Sequence, residues 1–178
     1  MPYVHLAMRF LIGTVFLLAV VGKGRSRQAF AAFAASTAVL TVLPAAMTRF
    51  AAVAVVLGEC LVCLLLLLPS PDAAALGFTW AAVLLVVFAA AIGRGVVSGT
   101  RTACRCFGAS DTPLGVRHLV RNLTLAGLAM VGAVSAYATG SVHPAGLAVA
   151  AAGGLLSGGL VAALDTLADL FQPVRART

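Results

Sequence analysis

The chain has 178 residues, of which 62% are hydrophobic and only 10% charged, with a formal net charge of +7. A soluble domain of this size would be nearer a quarter charged, and a mean hydropathy of +1.09 excludes one. The length suits a single membrane domain, 1–178, and the basic residues cluster at the ends of apolar segments, where they orient a chain in a bilayer and do not form a nucleic-acid surface.

The first apolar segment, Tyr3–Val21, is long enough to span, since a crossing helix needs about 17 to 25 residues. It lacks a basic n-region, and Val21-Gly22-Lys23-Gly24-Arg25 is a poor cleavage site, so it is expected to remain as a helix and not to be removed as a signal peptide. Gln28–Leu43 follows. Phe30, Phe33 and Leu40 give it an apolar stripe, Ser36, Thr37 and Thr41 dilute that stripe, and Pro44 ends it. At about 1.5 Å per residue it is short for a crossing and reads as an interfacial or re-entrant helix. Four more spans are expected at Ala51–Leu68, Ala74–Ile92, Leu119–Thr139 and Ala145–Leu170. The predicted fold is an all-α integral membrane protein, a compact bundle of about five transmembrane helices plus one interfacial helix.

Topology follows from the cations. Lys23, Arg25, Arg27 and Arg49 flank the short helix, Arg94, Arg101, Arg105 and Arg117 lie between the third and fourth spans, and Arg175 and Arg177 close the chain. With five spans all of these share one side, which the positive-inside rule makes cytoplasmic. Were Gln28–Leu43 to cross, the arginine-rich segment would move outside and the charge pattern would degrade. One lysine among many arginines and alanines is in keeping with a GC-rich bacterial genome, so the expected setting is a bacterial inner membrane, crossed several times.

Cys104-Arg105-Cys106-Phe107-Gly108 is the chemical centre of the sequence. A C-x-C disulfide closes a very small ring away from relaxed geometry, which makes it easily reduced. Neighbouring guanidiniums favour the thiolate, the attacking species. Phe107 can anchor the segment at the bilayer surface, and Gly108 permits the turn after it. Two other readings stay open: part of a metal site, for which Cys104, Cys106 and His118 give at most three ligands, or a pair of inert thiols. No metal is expected.

Glu59-Cys60-Leu61-Val62-Cys63 is the second constellation. At helical spacing the three polar residues point to one side. A mid-membrane carboxyl by default faces the bundle interior and has a partner, with Arg121 or Arg49 the expected cation. Glu59 is therefore either a proton-handling group or a structural contact. Cys60 and Cys63 form a possible second thiol pair, with buried small hydrophobes as the reading that their spacing favours. His118, Arg121 and Asn122 open the fourth span and are candidates to bind substrate, a quinone carbonyl or a partner's backbone, the plainer reading being interfacial anchors and a wet histidine. In the last span Gly154 and Gly158 form a small-xxx-small seam, for packing within the bundle or in a homo- or hetero-oligomer. Asp165 and Asp169 are expected to be solvated or paired with Arg175.

These residues resemble a known family. Arg9-Phe10-Leu11-Ile12-Gly13-Thr14-Val15-Phe16, Gly22-Lys23, the Phe30/Phe33 helix ending at Pro44, and Glu59 are similar to the opening of MauE and DoxX-like membrane proteins. Cys104-Arg105-Cys106-Phe107-Gly108-Ala109-Ser110, then Pro113-Leu114-Gly115, Arg117-His118 and Arg121-Asn122, resembles the MauE signature. The resemblance implies a DoxX-like four-helix core within 1–139, with 140–178 an additional transmembrane helix and short basic tail. It also implies a role in disulfide formation in exported proteins beside a thioredoxin-like partner. The expected function is thus a membrane thiol–disulfide redox protein, with Cys104 and Cys106 as the redox pair, Glu59 as a polar group at the site, and quinone as the candidate membrane acceptor. The alternative is a non-catalytic assembly factor or complex subunit whose loop disulfide only fixes its shape. A cytoplasmic C-x-C segment sits uneasily with work on exported proteins, because disulfides persist outside the cytosol.

Overall fold

The computed structural model describes residues 1–41, 45–98, 115–138 and 140–170, with the side chains of 39–46 and 165–170 outside that description. Among the described residues the chain forms α1 (Pro2–Gly24), α2 (Arg27–Thr41), α3 (Ala45–Leu67), α4 (Pro71–Val97), α5 (Val116–Ser135) and α6 (Pro144–Leu170). All but α2 contain a stretch long and apolar enough to cross a bilayer, so this is a multi-pass, all-helical membrane protein. The helix bounds differ from the apolar runs by a few residues. In α4, Ser70 accepts the Ala73 N–H on its side chain and Pro71 opens the first turn, so the helix starts in the polar turn ahead of the greasy stretch.

Four helices form a ring. α1 packs on α3, α3 on α4, α4 on α5, and α5 returns to α1, while α3 and α5 stand across the ring with no close backbone approach among the described residues. Neighbours are antiparallel. Arg9, early in α1, donates to the carbonyls of Leu66 and Leu68 at the end of α3. Tyr137, just past α5, donates to the Asp72 carboxylate at the start of α4, 2.9 Å away. Because α1 and α3 are antiparallel neighbours, α2 must leave and return at one face, as its length suggests. That face carries Lys23, Arg25, Arg27, Arg49, Arg94 and Arg117 and is the basic face. The chain between α4 and α5 starts and ends there too.

Lipid is as apolar as the core, so close packing and polar contacts must hold the ring together. Ile12, Val15, Phe16, Val62, Phe78, Leu85 and Leu125 fill its centre. Gly132 gives way to Phe78: a Cβ there would lie 2.5 Å from the ring. α6 stands outside the ring, parallel to α1. A Cβ on Gly154 would meet the Ala7 carbonyl oxygen at 2.5 Å, and one on Gly158 the Leu11 carbonyl oxygen at 2.8 Å. The glycine seam therefore packs within the chain, backbone against backbone.

Candidate functional site

Cys104, Cys106, Phe107 and Gly108 lie outside the described residues, and so do the side chains of Asp165 and Asp169. What the structure does describe is the ground from which the C-x-C segment rises. α4 ends at Val97 and α5 begins at Val116, both at the basic face.

Beneath that face, inside the ring, is an ion pair. Lys23 Nζ donates to Glu59 Oε1 at 2.5 Å, with side-chain exposures of 2% and 1%. Glu59 sits well inside α3 on its inward face, between the apolar neighbours Val62 and Gly58. Lys23 belongs to the last turn of α1, and its long stem lets the ammonium reach back into the bundle. The ammonium also lies 4.9 Å from the Phe33 ring centroid and 5.9 Å from that of Phe88, within range of both π-faces. α1, α2, α3 and α4 thus meet at one charge. The expected polar partner on another helix exists, but it is Lys23 and not Arg121 or Arg49. Lys23 is the cation that bonds the carboxylate, while Arg49 is exposed at the start of its own helix. Sequence reasoning treated Lys23 as one more topology charge. The signal it passed over was chemical: the only lysine sits where every other flanking cation is arginine, and a compact ammonium on a flexible four-carbon stem suits a buried point contact with one carboxylate oxygen.

Only one carboxylate oxygen is engaged. Oε2 of Glu59 is buried and has no hydrogen bond among the described residues. On α5, His118 and Asn122 are four residues apart and share the inward face, at 1% and 0% exposure. His118 is therefore no wet interfacial histidine. Its position in the first turn suggested water, but the ring turns inward. Both polar atoms of the Asn122 amide are buried without a hydrogen bond among the described residues. Leaving such an amide unmatched costs about 1–3 kcal/mol, so its retention calls for a partner. Arg121, on the adjoining face, is half-buried, and Arg117 is exposed.

Cys60 and Cys63 are half-buried free thiols. Glu59 turns into the ring, whereas Cys63 lines a separate cleft of about 450 Å³ between α1, α3 and α6, with Arg9, Thr14, Leu66 and Leu155. The three residues share one side of α3 only loosely: the carboxyl and Cys63 serve different spaces.

A family model described as methylamine utilisation protein MauE matches residues 1–135, which take in the whole four-helix ring and α2 but not α6. No curated protein and no solved structure matches the chain.

Proposed function

Since the chain belongs to the MauE family, we propose that it is a membrane thiol–disulfide redox protein that supports disulfide formation or a thiol relay for exported proteins, with Cys104 and Cys106 as its working pair. The family is described by its part in methylamine utilisation. One observation carries the reading most: the bundle end that roots the C-x-C segment is the end whose interior holds a buried carboxylate with an unengaged oxygen and an unmatched buried amide. Packing alone does not need such groups, whereas redox chemistry that moves protons does.

The chemistry balances simply. Closing the Cys104–Cys106 bond removes two protons and two electrons from the dithiol. In exchange with a reduced thioredoxin-like partner, the Cys104–Cys106 disulfide opens to two thiols as the partner's two thiols close to a disulfide, and the pair closes again by passing two electrons and two protons to a membrane acceptor. Quinone is the membrane acceptor in this reading and would supply a two-electron sink. Asn122, with a buried NH2 donor and no hydrogen bond among the described residues, fits a quinone carbonyl, and His118 lies one turn away on the same face. Glu59, held by Lys23 through one oxygen, keeps the other to accept or return a proton. Cys60 and Cys63 stay outside the mechanism. In this reading the basic face is the cytoplasmic side of a bacterial inner membrane.

The test is thiol trapping in intact cells with a membrane-permeant reagent and, in parallel, a membrane-impermeant one, each with and without mild reduction. A working pair labels with the permeant reagent after reduction, re-forms its disulfide with quinone present, and is reduced again by the partner's dithiol. Cys104→Ser or Cys106→Ser abolishes partner oxidation, and Cys60→Ser and Cys63→Ser leave most of it. Full activity without either loop thiol would end the proposal and leave the assembly-factor reading. Labelling from outside would put the C-x-C segment on the outer side and reverse the orientation.

A further inference from the structure

A groove of about 1010 Å³ runs under α2 at the basic face, between it and the adjoining ends of α1 and α3. Lys23, Arg27 and Arg49 line it together with Phe30, Ala34 and Ala38 of α2. Lys23 is matched by Glu59 inside the ring, so the net positive charge of the groove comes from Arg27 and Arg49, both exposed. Among the described residues no acidic one lines it.

Three features narrow what such a groove can hold. Its volume reaches the upper end of the roughly 300–1,000 Å³ of small-molecule sites, far more than a few waters fill. The two guanidiniums can take a phosphate by paired, charge-assisted hydrogen bonds. Its depth is that of the bilayer surface: Thr48 and Arg49 of the lining lie in the opening turns of the membrane helix α3, and their neighbours Met47 and Phe50 are exposed at 57% and 78%. Side chains like those face acyl chains, not water. An acidic peptide would match the arginines but not the stripe of Ala31, Ala34, Ala35 and Ala38, whose methyl groups offer an acyl chain a smooth contact and a peptide backbone no hydrogen bond.

We propose that this groove is a binding site for an anionic phospholipid, its phosphate between Arg27 and Arg49 and one acyl chain along the Phe30–Ala38 side of α2. The lipid fastens α2 over the Lys23–Glu59 pair, since Phe33 of the same helix covers the Lys23 ammonium. This goes beyond the redox reading and does not depend on it.

The experiment uses the full-length protein, purified in mild detergent and equilibrated with equal amounts of phosphatidylglycerol and phosphatidylcholine, with retained lipid counted by native mass spectrometry. The expected result is one tightly retained phosphatidylglycerol per chain. Arg27→Gln and Arg49→Gln should each weaken retention about fivefold, the worth of one cation at an anionic surface. Ala35→Trp fills the groove from its exposed rim without changing charge and should displace the lipid. Arg94→Gln, exposed on α4 and outside the groove, should leave retention unchanged. Equal retention of the two lipids overturns the proposal, as does a loss with Arg94→Gln that matches the other two, for then the face is merely basic. Undiminished retention in Ala35→Trp overturns it as well. Displacement of the lipid by millimolar inorganic phosphate, or by an acidic peptide, would assign the arginines to a soluble anion or a protein and likewise overturn it.

Discussion

The two ends of the bundle treat polarity in opposite ways. At the end away from the basic face, each described polar contact ties helix ends or turns together: Arg9 caps the last carbonyls of α3, Tyr137 meets Asp72, the His143 N–H donates to the Tyr3 hydroxyl at 2.9 Å, and His5 lies 3.4 Å from the Gly132 carbonyl. These are local closures near the membrane surface, where backbone groups would otherwise lack partners. In the basic half, beneath the exposed arginines, four polar side chains go inward instead. Lys23, Glu59, His118 and Asn122 are all nearly sealed, and Glu59 and Asn122 have hydrogen-bonding capacity left over among the described residues. One end is finished as structure, and the other is poised to engage something else.

The sharpest way to break that contrast is to remove one charge from the interior. Lys23→Met strands Glu59 in the bundle and should cost about 3–5 kcal/mol of stability, whereas the double change Lys23→Met with Glu59→Leu should recover most of it. Unfolding in detergent, followed by helicity, reads both. If the double variant is as unstable as the single, the pair is more than a matched charge. A packing change at the finished end comes next. Gly132→Val drives a side chain into the Phe78 ring and should cost about 1–3 kcal/mol by overpacking.

Asn122→Leu tests whether the amide serves structure or function. A structural amide would make the variant less stable. Here the change should raise stability on the order of 1 kcal/mol, because an unmatched buried amide is removed, while thiol relay activity falls. The smallest effect belongs to Tyr137. Its hydrogen bond to Asp72, and the negative charge of that carboxylate, hold the phenol above its ordinary range near 10. The folded value is the raised one, so the contact contributes fully below the unfolded value and is lost as pH climbs through the folded value. In a Tyr3→Phe background the remaining tyrosine should titrate late by ultraviolet absorbance, and Asp72→Asn should bring it back down.

Much of the architecture could be read from residues alone, because a bilayer leaves few solutions. Uninterrupted runs such as Leu61–Leu68 must be helical spans, and a segment as short and diluted as Gln28–Leu43 must turn back. The position of Glu59 could be read too, since a mid-membrane carboxyl cannot face lipid. Its partner could not. Depth ranked Arg121 and Arg49 above Lys23 because sequence does not say which helices touch, and α3 and α5 face each other across the ring. His118 was misplaced for a related reason: the first turn of a span is usually wet, but the side chain points with Asn122 and not with Val120. The C-x-C pair rests on sequence and resemblance.

The α6 seam has a consequence for the order in which the protein is made. Its partner surface on α1, around Ala7, Phe10 and Leu11, leaves the ribosome first, and Gly154 and Gly158 leave last. In lipid that surface can wait without penalty, because acyl chains cover it as well as a helix does. The Lys23–Glu59 pair cannot wait in the same way: its carboxyl needs the ammonium as soon as α3 enters the bilayer, and both are within the first 67 residues. Synthesis therefore closes the charged contact early, and the last helix docks onto a ring already assembled.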